Sequence, residues 1–223
     1  MSAHILRALK MAQDAGYPVE LNLNGLKVEY AHTRPYRGMK LEDIEILHAL
    51  HEWKVEADYS SAVRLLEPFV RQLEQKEDSL ANRNKYYRPL SYLKEKLLLW
   101  EIKQQVDSVN VGDSVRPYLK KDMLEGVYCD DGRRTYYWEG NQMINTLIAY
   151  RIIKNDPSLC KLKENMQLYI LRTKERGWNT YQASSAVATV LTDLLAGSGG
   201  MSGTSVFVSG KDHQRITEFP YHA

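Results

Sequence analysis

Apolar residues recur at intervals of three and four along most of this chain, and that period constrains its fold more than any other feature. From Ala183 to Leu195 they fall at Ala186, Val187, Val190, Leu191, Leu194 and Leu195, a stripe on one helix face. Ala62, Val63, Leu66, Phe69, Val70 and Leu73 repeat the pattern between Ser60 and Lys76, where Pro68 predicts a kink or break near Leu65 to Glu67. Leu90, Leu93, Leu97, Trp100 and Val106 mark another helix, with Pro89 suited to its first turn. Between Trp138 and Lys154 the band widens through Met143, Ile144, Leu147, Ile148, Tyr150 and Ile152, as expected of a helix flanked on more than one side. Leu159, Leu162, Met166, Tyr169, Ile170 and Thr173 give the next helix, opened by Asp156-Pro157-Ser158. Ile44, Leu47, Leu50 and Trp53 stripe a helix from Leu41, and Ile5, Leu6, Leu9 and Met11 suggest one at the N-terminus.

Strand signals are confined to two places. Val19 to Tyr30 alternates apolar and polar residues around Asn24-Gly25, which predicts a β-hairpin over 19–30. After Gly197-Ser198-Gly199-Gly200, the runs Ser205 to Ser209 and Arg215 to Phe219 flank a Gly210-Lys-Asp turn and read as a second hairpin or an edge extension. The glycines follow a helix, lack Gly-Lys-Ser/Thr and open no new helix, so they read as a linker rather than a phosphate cradle.

The expected fold is therefore all-α, with roughly eight helices of about 12–18 residues. Short links favour antiparallel α/α hairpins. Hairpins near 41–76, 89–124, 139–174 and 180–196 keep a period of about 45 residues, as α/α solenoids and toroids do; a bundle and a toroid both fit. The expected division is a helical domain, 1–196, followed by a Gly-rich linker and β tail, 197–223.

Composition sets outer limits. With 43% hydrophobic residues in 223, the chain can bury a sizeable core. Its 30 Lys+Arg against 28 Asp+Glu lack the basic excess of a polyanion binder, so no nucleic-acid partner is expected. No apolar run approaches the roughly 18 residues of a membrane span. Met1-Ser2-Ala3-His4 is not a basic region leading into an apolar stretch, so no signal peptide is expected here.

Residues able to carry chemistry are few. His48 and His51 share one helix face with Glu45 a turn before, but His-Glu-x-x-His is missing, so solvated or capped histidines are expected and no metal. Asp130-Asp131 lies in a loop from Gly126 to Arg134 and reads as a solvated turn. Tyr136, Tyr137 and Trp138, after Arg133 and Arg134, could stack on a sugar or a peptide, or pad helix entrances. Cys129, in the loop, is expected to be the more exposed of the two thiols; Cys129 and Cys160 either pair or stay free, depending on compartment. No nucleophile–base arrangement and no cofactor signature stands out.

The most telling stretch is Tyr136-Tyr-Trp-Glu-Gly-Asn-Gln-Met-Ile-Asn-Thr-Leu-Ile-Ala-Tyr150, followed by a helix ending Leu171-Arg-Thr-Lys-Glu-Arg176 and then Gly177-Trp178-Asn179-Thr180-Tyr-Gln182-Ala183. From about Thr135 to Ala196 this resembles the closing section of the helical toroid in bacterial alpha-2-macroglobulin-like proteins. Each residue of the turn has a local physical role. Gly177 can end a helix in the left-handed conformation, Trp178 plugs the hairpin corner, Thr180 caps the next helix, and Ala183 lets helices approach.

The resemblance implies a non-catalytic structural domain of a protein that traps or inhibits proteases by wrapping them. Its implied location is the bacterial periplasm or cell surface, and its implied partners are proteases and neighbouring domains of the parent protein. The family's thioester needs Cys-x-Glu-Gln. Cys129 is followed by Asp-Asp-Gly and Cys160 by Lys-Leu-Lys, so thioester trapping is not carried over. A full toroid of about six such hairpins would need roughly 270 residues, so the chain reads as a segment of one. Two other readings remain at this level: an α/α-toroid glycan-processing enzyme using Asp130 and Asp131 with the aromatic cluster, and a helical repeat binding a partner on its concave face.

Overall fold

The computed structural model describes residues 3–14, 16–22, 38–135, 142–174, 177, 180–197, 206–208 and 214–216. The described chain is mostly helical: α1 (Ala3–Asp14), α2 (Leu41–Glu52), α3 (Tyr59–Arg83), α4 (Leu93–Asp107), the short α5 (Gly112–Val115), α6 (Gln142–Ile153), α7 (Cys160–Thr173), α8 (Thr180–Ala186) and α9 (Thr192–Gly197). A π-helical turn, Val187–Leu191, joins the last two. Local chemistry sets several starts. Asp43 accepts from the Lys40 amide at 2.9 Å before α2, and Asp58 from the Ser61 amide at 3.0 Å before α3. The Asp156 carboxylate takes the Ser158 amide at 2.9 Å in the 3-10 turn before α7.

The core follows the sequence stripes. Leu97, Leu98 and Ile102 of α4 meet Ile44 and Leu47 of α2, Val63 and Leu66 of α3, and Leu147 and Ile148 of α6 in one cluster. Each such side chain, fully buried, contributes about 1.5–3 kcal/mol. All of α6 except Arg151 and its first residue is buried, because α4, α7, the strand Val127–Cys129 and the last helices cover it from several sides. Leu6 of α1 packs separately, on Leu50 and Val55.

Ion pairs and hydrogen bonds fix the helix directions. Lys103 meets Glu67 at 3.0 Å and Lys96 meets Glu74 at 3.1 Å, so α4 ascends as α3 descends. On α2 and α6 the order is the opposite. Lys94 meets Glu45 and Glu101 meets His48, while Glu101 and then Gln104 meet Arg151 and the Ile152 carbonyl. Helices α2, α4 and α6 therefore share one direction. So does α1: His4 reaches Glu45, and the Leu6 carbonyl accepts from Trp53 Nε1. Co-directional neighbours need a return segment between them. Helix α3 returns the chain between α2 and α4, and the described residues 108–135 lie between α4 and α6 in the sequence. Gln142 bonds Tyr169, and Tyr150 bonds Gln167, so α7 runs back against α6.

Three expectations change. Helix α3 runs unbroken through Pro68; Pro68 has no amide to give Arg64, and both residues are exposed, so the loss falls on the solvent side. Pro89 lies outside α4, in an extended segment where Leu90 bridges Arg134. The second half of the 89–124 hairpin is not a helix: after α5 the chain forms strands β1 (Leu119–Lys121) and β2 (Val127–Cys129), with Leu119 opposite Cys129. The intervening turn is closed by Asp122 Oδ1, which accepts from the Leu124 and Gly126 amides at 2.8 and 2.7 Å. In the tail, β3 (Val206–Val208) pairs antiparallel with β4 (Gln214–Ile216). Of the 19–30 hairpin, residues 19–22 carry no regular structure and the remainder lies outside the described residues.

Candidate functional site

Two charged side chains lie on the apolar stripes rather than opposite them. Glu101 follows Leu97 by one turn of α4, and His48 follows Ile44 by one turn of α2, so each is carried into the core with its stripe. Only 5% of Glu101 and 2% of His48 is exposed. Arg151, one turn after Leu147 on α6, completes the set.

The three interlock. Arg151 Nε donates to Glu101 Oε1 at 2.7 Å and its Nη2 to Oε2 at 2.8 Å, a bidentate pair. His48 Nε2 donates to the same Oε2 at 2.8 Å, and its Nδ1 lies 3.5 Å from Glu52 Oε2. Burial pushes the Glu101 carboxyl up, but Arg151 and His48 outweigh it and hold the group well below the usual carboxylate range. Glu52 is likewise pushed up by burial, then drawn down to about 2, chiefly by His48. Burial opposes the His48 charge, yet Glu101 and Glu52 prevail and raise its pKa. Two carboxylates thus face one guanidinium and one imidazolium, a charge-balanced set in which Glu101 and His48 are buried and Arg151 and Glu52 partly exposed. His51, the other expected solvated histidine, is half-buried, edge-on to the Tyr59 ring at 4.9 Å. Its pKa falls through burial and the neighbouring His48.

Beside this seam is a cavity of about 210 Å³, whose wall includes Arg7, Lys10, Lys94 and Arg151 together with Asp14 and Glu52. Its apolar side is formed by Leu98, Ile144 and Ile148. Ser185 and Thr189 reach it from α8 and the π-helical turn, an irregularity that often accompanies function. Lys94 pairs with Glu45 at 2.6 Å, and Lys10 pairs with Asp14 on the next turn of α1.

A second, more open cleft of about 570 Å³ is bordered by Asp130, Arg133, Gln142, Tyr169, Gly177 and Gln182. Here both loop acids have structural partners. Asp130 accepts from Lys120 and Gln142 at 3.2 and 3.3 Å, while Asp131 accepts from the Ser91 hydroxyl at 2.8 Å and the Arg133 amide at 3.1 Å. The pair staples the β1–β2 hairpin to α6 and to the segment before α4. The thiols reverse expectation: Cys129 is buried on β2, where burial pushes it up to about 12, and Cys160 is exposed. Both are free. Strand pairing explains the reversal, because Val127 and Cys129 point inward while Tyr128 turns out to stack on Tyr169.

Gly177 has φ +85° beyond the end of α7, a backbone conformation that favours glycine, and its amide donates to the Lys174 carbonyl at 3.0 Å. Helix α8 begins at Thr180, and Ala183 is half-buried within it. Tyr136, Tyr137, Trp138 and Trp178 lie outside the described residues. Among the described residues, no group of three or more His, Cys, Asp and Glu is placed to hold a metal ion. No helix there is long and apolar enough to cross a membrane.

Glu101 is not legible as part of a site, since 53 residues separate it from His48 and 50 from Arg151. The usable signal was a charge interrupting an apolar stripe. No protein-family model, curated protein or solved structure matches this chain.

Proposed function

We propose that the chain is a helical segment of an α/α toroid in a bacterial alpha-2-macroglobulin-like protein, with a structural part in trapping or inhibiting proteases at the periplasm or cell surface. The observation that carries this reading is the direction of the helices. Helices α1, α2, α4 and α6 run one way and α3 and α7 run back, and an inner ring of co-directional helices with returning outer elements is what a toroid of α/α hairpins requires. The left-handed Gly177 between α7 and α8, and the strands β3 and β4 after α9, suit the hairpin corner and the β exit of that family. With Cys129 buried and Cys160 outside any Cys-x-Glu-Gln, retention of a protease here would be steric rather than covalent.

The test uses the parent protein with an endopeptidase, read against a large protein substrate and a short peptide substrate. Enclosure by a shell predicts that cleavage of the large substrate is lost while the short peptide is still hydrolysed. Unchanged cleavage of both, or a parent gene without tandem β-sandwich domains around this segment, would overturn the proposal.

A further inference from the structure

We propose that the cavity bounded by α1, α4, α6 and the π-helical turn binds a small carboxylate with a short apolar tail. Four cationic side chains, Arg7, Lys10, Lys94 and Arg151, stand on its wall against two carboxylates, Asp14 and Glu52. Glu45 and Glu101, which pair with Lys94 and Arg151, do not line it. With those partners the charges balance, so what the wall offers a ligand is a donor that its own carboxylates leave unused.

Arg7 is the distinctive member. Arg151 closes a bidentate pair at 2.7 and 2.8 Å, whereas Arg7 approaches Glu52 and Glu45 only at 3.7 and 4.0 Å, beyond hydrogen-bond range. The Arg7 side chain is 12% exposed, and its buried Nη2 has no hydrogen-bond partner. A buried donor left unsatisfied is costly, and a ligand carboxylate is the group whose geometry a guanidinium fork matches.

Opposite the charges, Leu98, Ile144 and Ile148 form an apolar face that a hydrocarbon tail would cover. Thr189, on the π-helical turn, and Ser185 add hydroxyls able to donate to a carboxylate oxygen. The size fits: an engineered cavity of about 150 Å³ holds benzene, and this one is about 210 Å³. An acid of about six carbons is thus within reach, whereas the Arg7 guanidinium, a donor only, gives the matching amine no partner.

Titration calorimetry of the whole chain with hexanoate, 1-hexanol and hexylamine tests this, together with methyl NMR of Ile144 and Ile148. The expected result is saturable hexanoate binding that shifts both isoleucine methyls, with hexanol at least about tenfold weaker and hexylamine silent. Arg7→Gln should weaken hexanoate at least about tenfold, and Thr189→Val by a smaller factor. Hexanol binding as well as hexanoate, hexanoate binding undiminished in a folded Arg7→Gln, or binding that leaves the methyls unshifted would overturn the proposal. So would the absence of saturable binding to the wild-type chain. If hexanoate fails where an acetylated peptide ending in leucine binds, the site belongs to a chain terminus and the free-acid assignment falls. The outcome is independent of the protease experiment.

Discussion

Helix α4 carries ion pairs on two opposite faces, and the same chemistry does different work on each. Toward α3, Lys103–Glu67 and Lys96–Glu74 bridge the antiparallel interface with side chains 20–33% exposed. Toward α2 and α6, Glu101 and His48 are only 7% and 3% exposed in their side chains, while Arg151, at 24%, reaches the cavity. Water can reach both partners of each outer pair, but on the inner face it reaches Arg151 and neither Glu101 nor His48. Outer pairs should therefore be worth little and the inner set should be costly to break, although an apolar replacement of the whole inner set need not be.

The largest effect expected is that of Glu101→Ala, which removes the buried carboxylate that Arg151 and His48 share. It should lower unfolding free energy by about 3–5 kcal/mol in urea denaturation. Arg151→Met leaves His48 still paired with Glu101, so a smaller loss of about 2–3 kcal/mol is expected by the same measurement.

Next comes pH. The His48 pKa is raised in the folded chain, so its contribution is full below the unfolded value of about 6.5 and is lost as pH rises through the folded value. Glu52 and Glu101 are depressed, so their contributions are full above about pH 4.5 and lost on acidification, that of Glu52 toward about pH 2. All three contributions are full between about pH 4.5 and 6.5. Above that window thermal stability should lose the His48 share, offset in part by His51, whose lowered pKa acts in the opposite sense, and His48→Gln should remove the alkaline loss. The smallest effect is that of Lys103→Ala, expected to cost less than about 1 kcal/mol and to shrink further in high salt.

The contrast also marks what could be read in advance. Helices α2, α4, α6 and α7 were visible because each repeats leucine and isoleucine at one face, and burial acts on that repeat directly. Helix α3 was visible except for its continuity, since the cost of Pro68 falls on the solvent side where a stripe gives no information. Strands β1 and β2 were missed because three residues each are too short for alternation to register, although Asp122 and Gly126 were the turn residues to weigh. The inner ionic set was missed for a different reason. Periodicity assigns every charge to the outside, and only a partner some 50 residues away makes burial of Glu101 tolerable.

A double-mutant cycle most directly tests whether the co-directional helices are joined by buried charge. Glu101→Ala with Arg151→Ala, compared with Glu67→Ala with Lys103→Ala, gives the two coupling energies under one set of conditions. The expected couplings are about 2 kcal/mol or more for Glu101–Arg151 and about 0.5 kcal/mol or less for Glu67–Lys103. Equal couplings on the two faces of α4 would contradict the account.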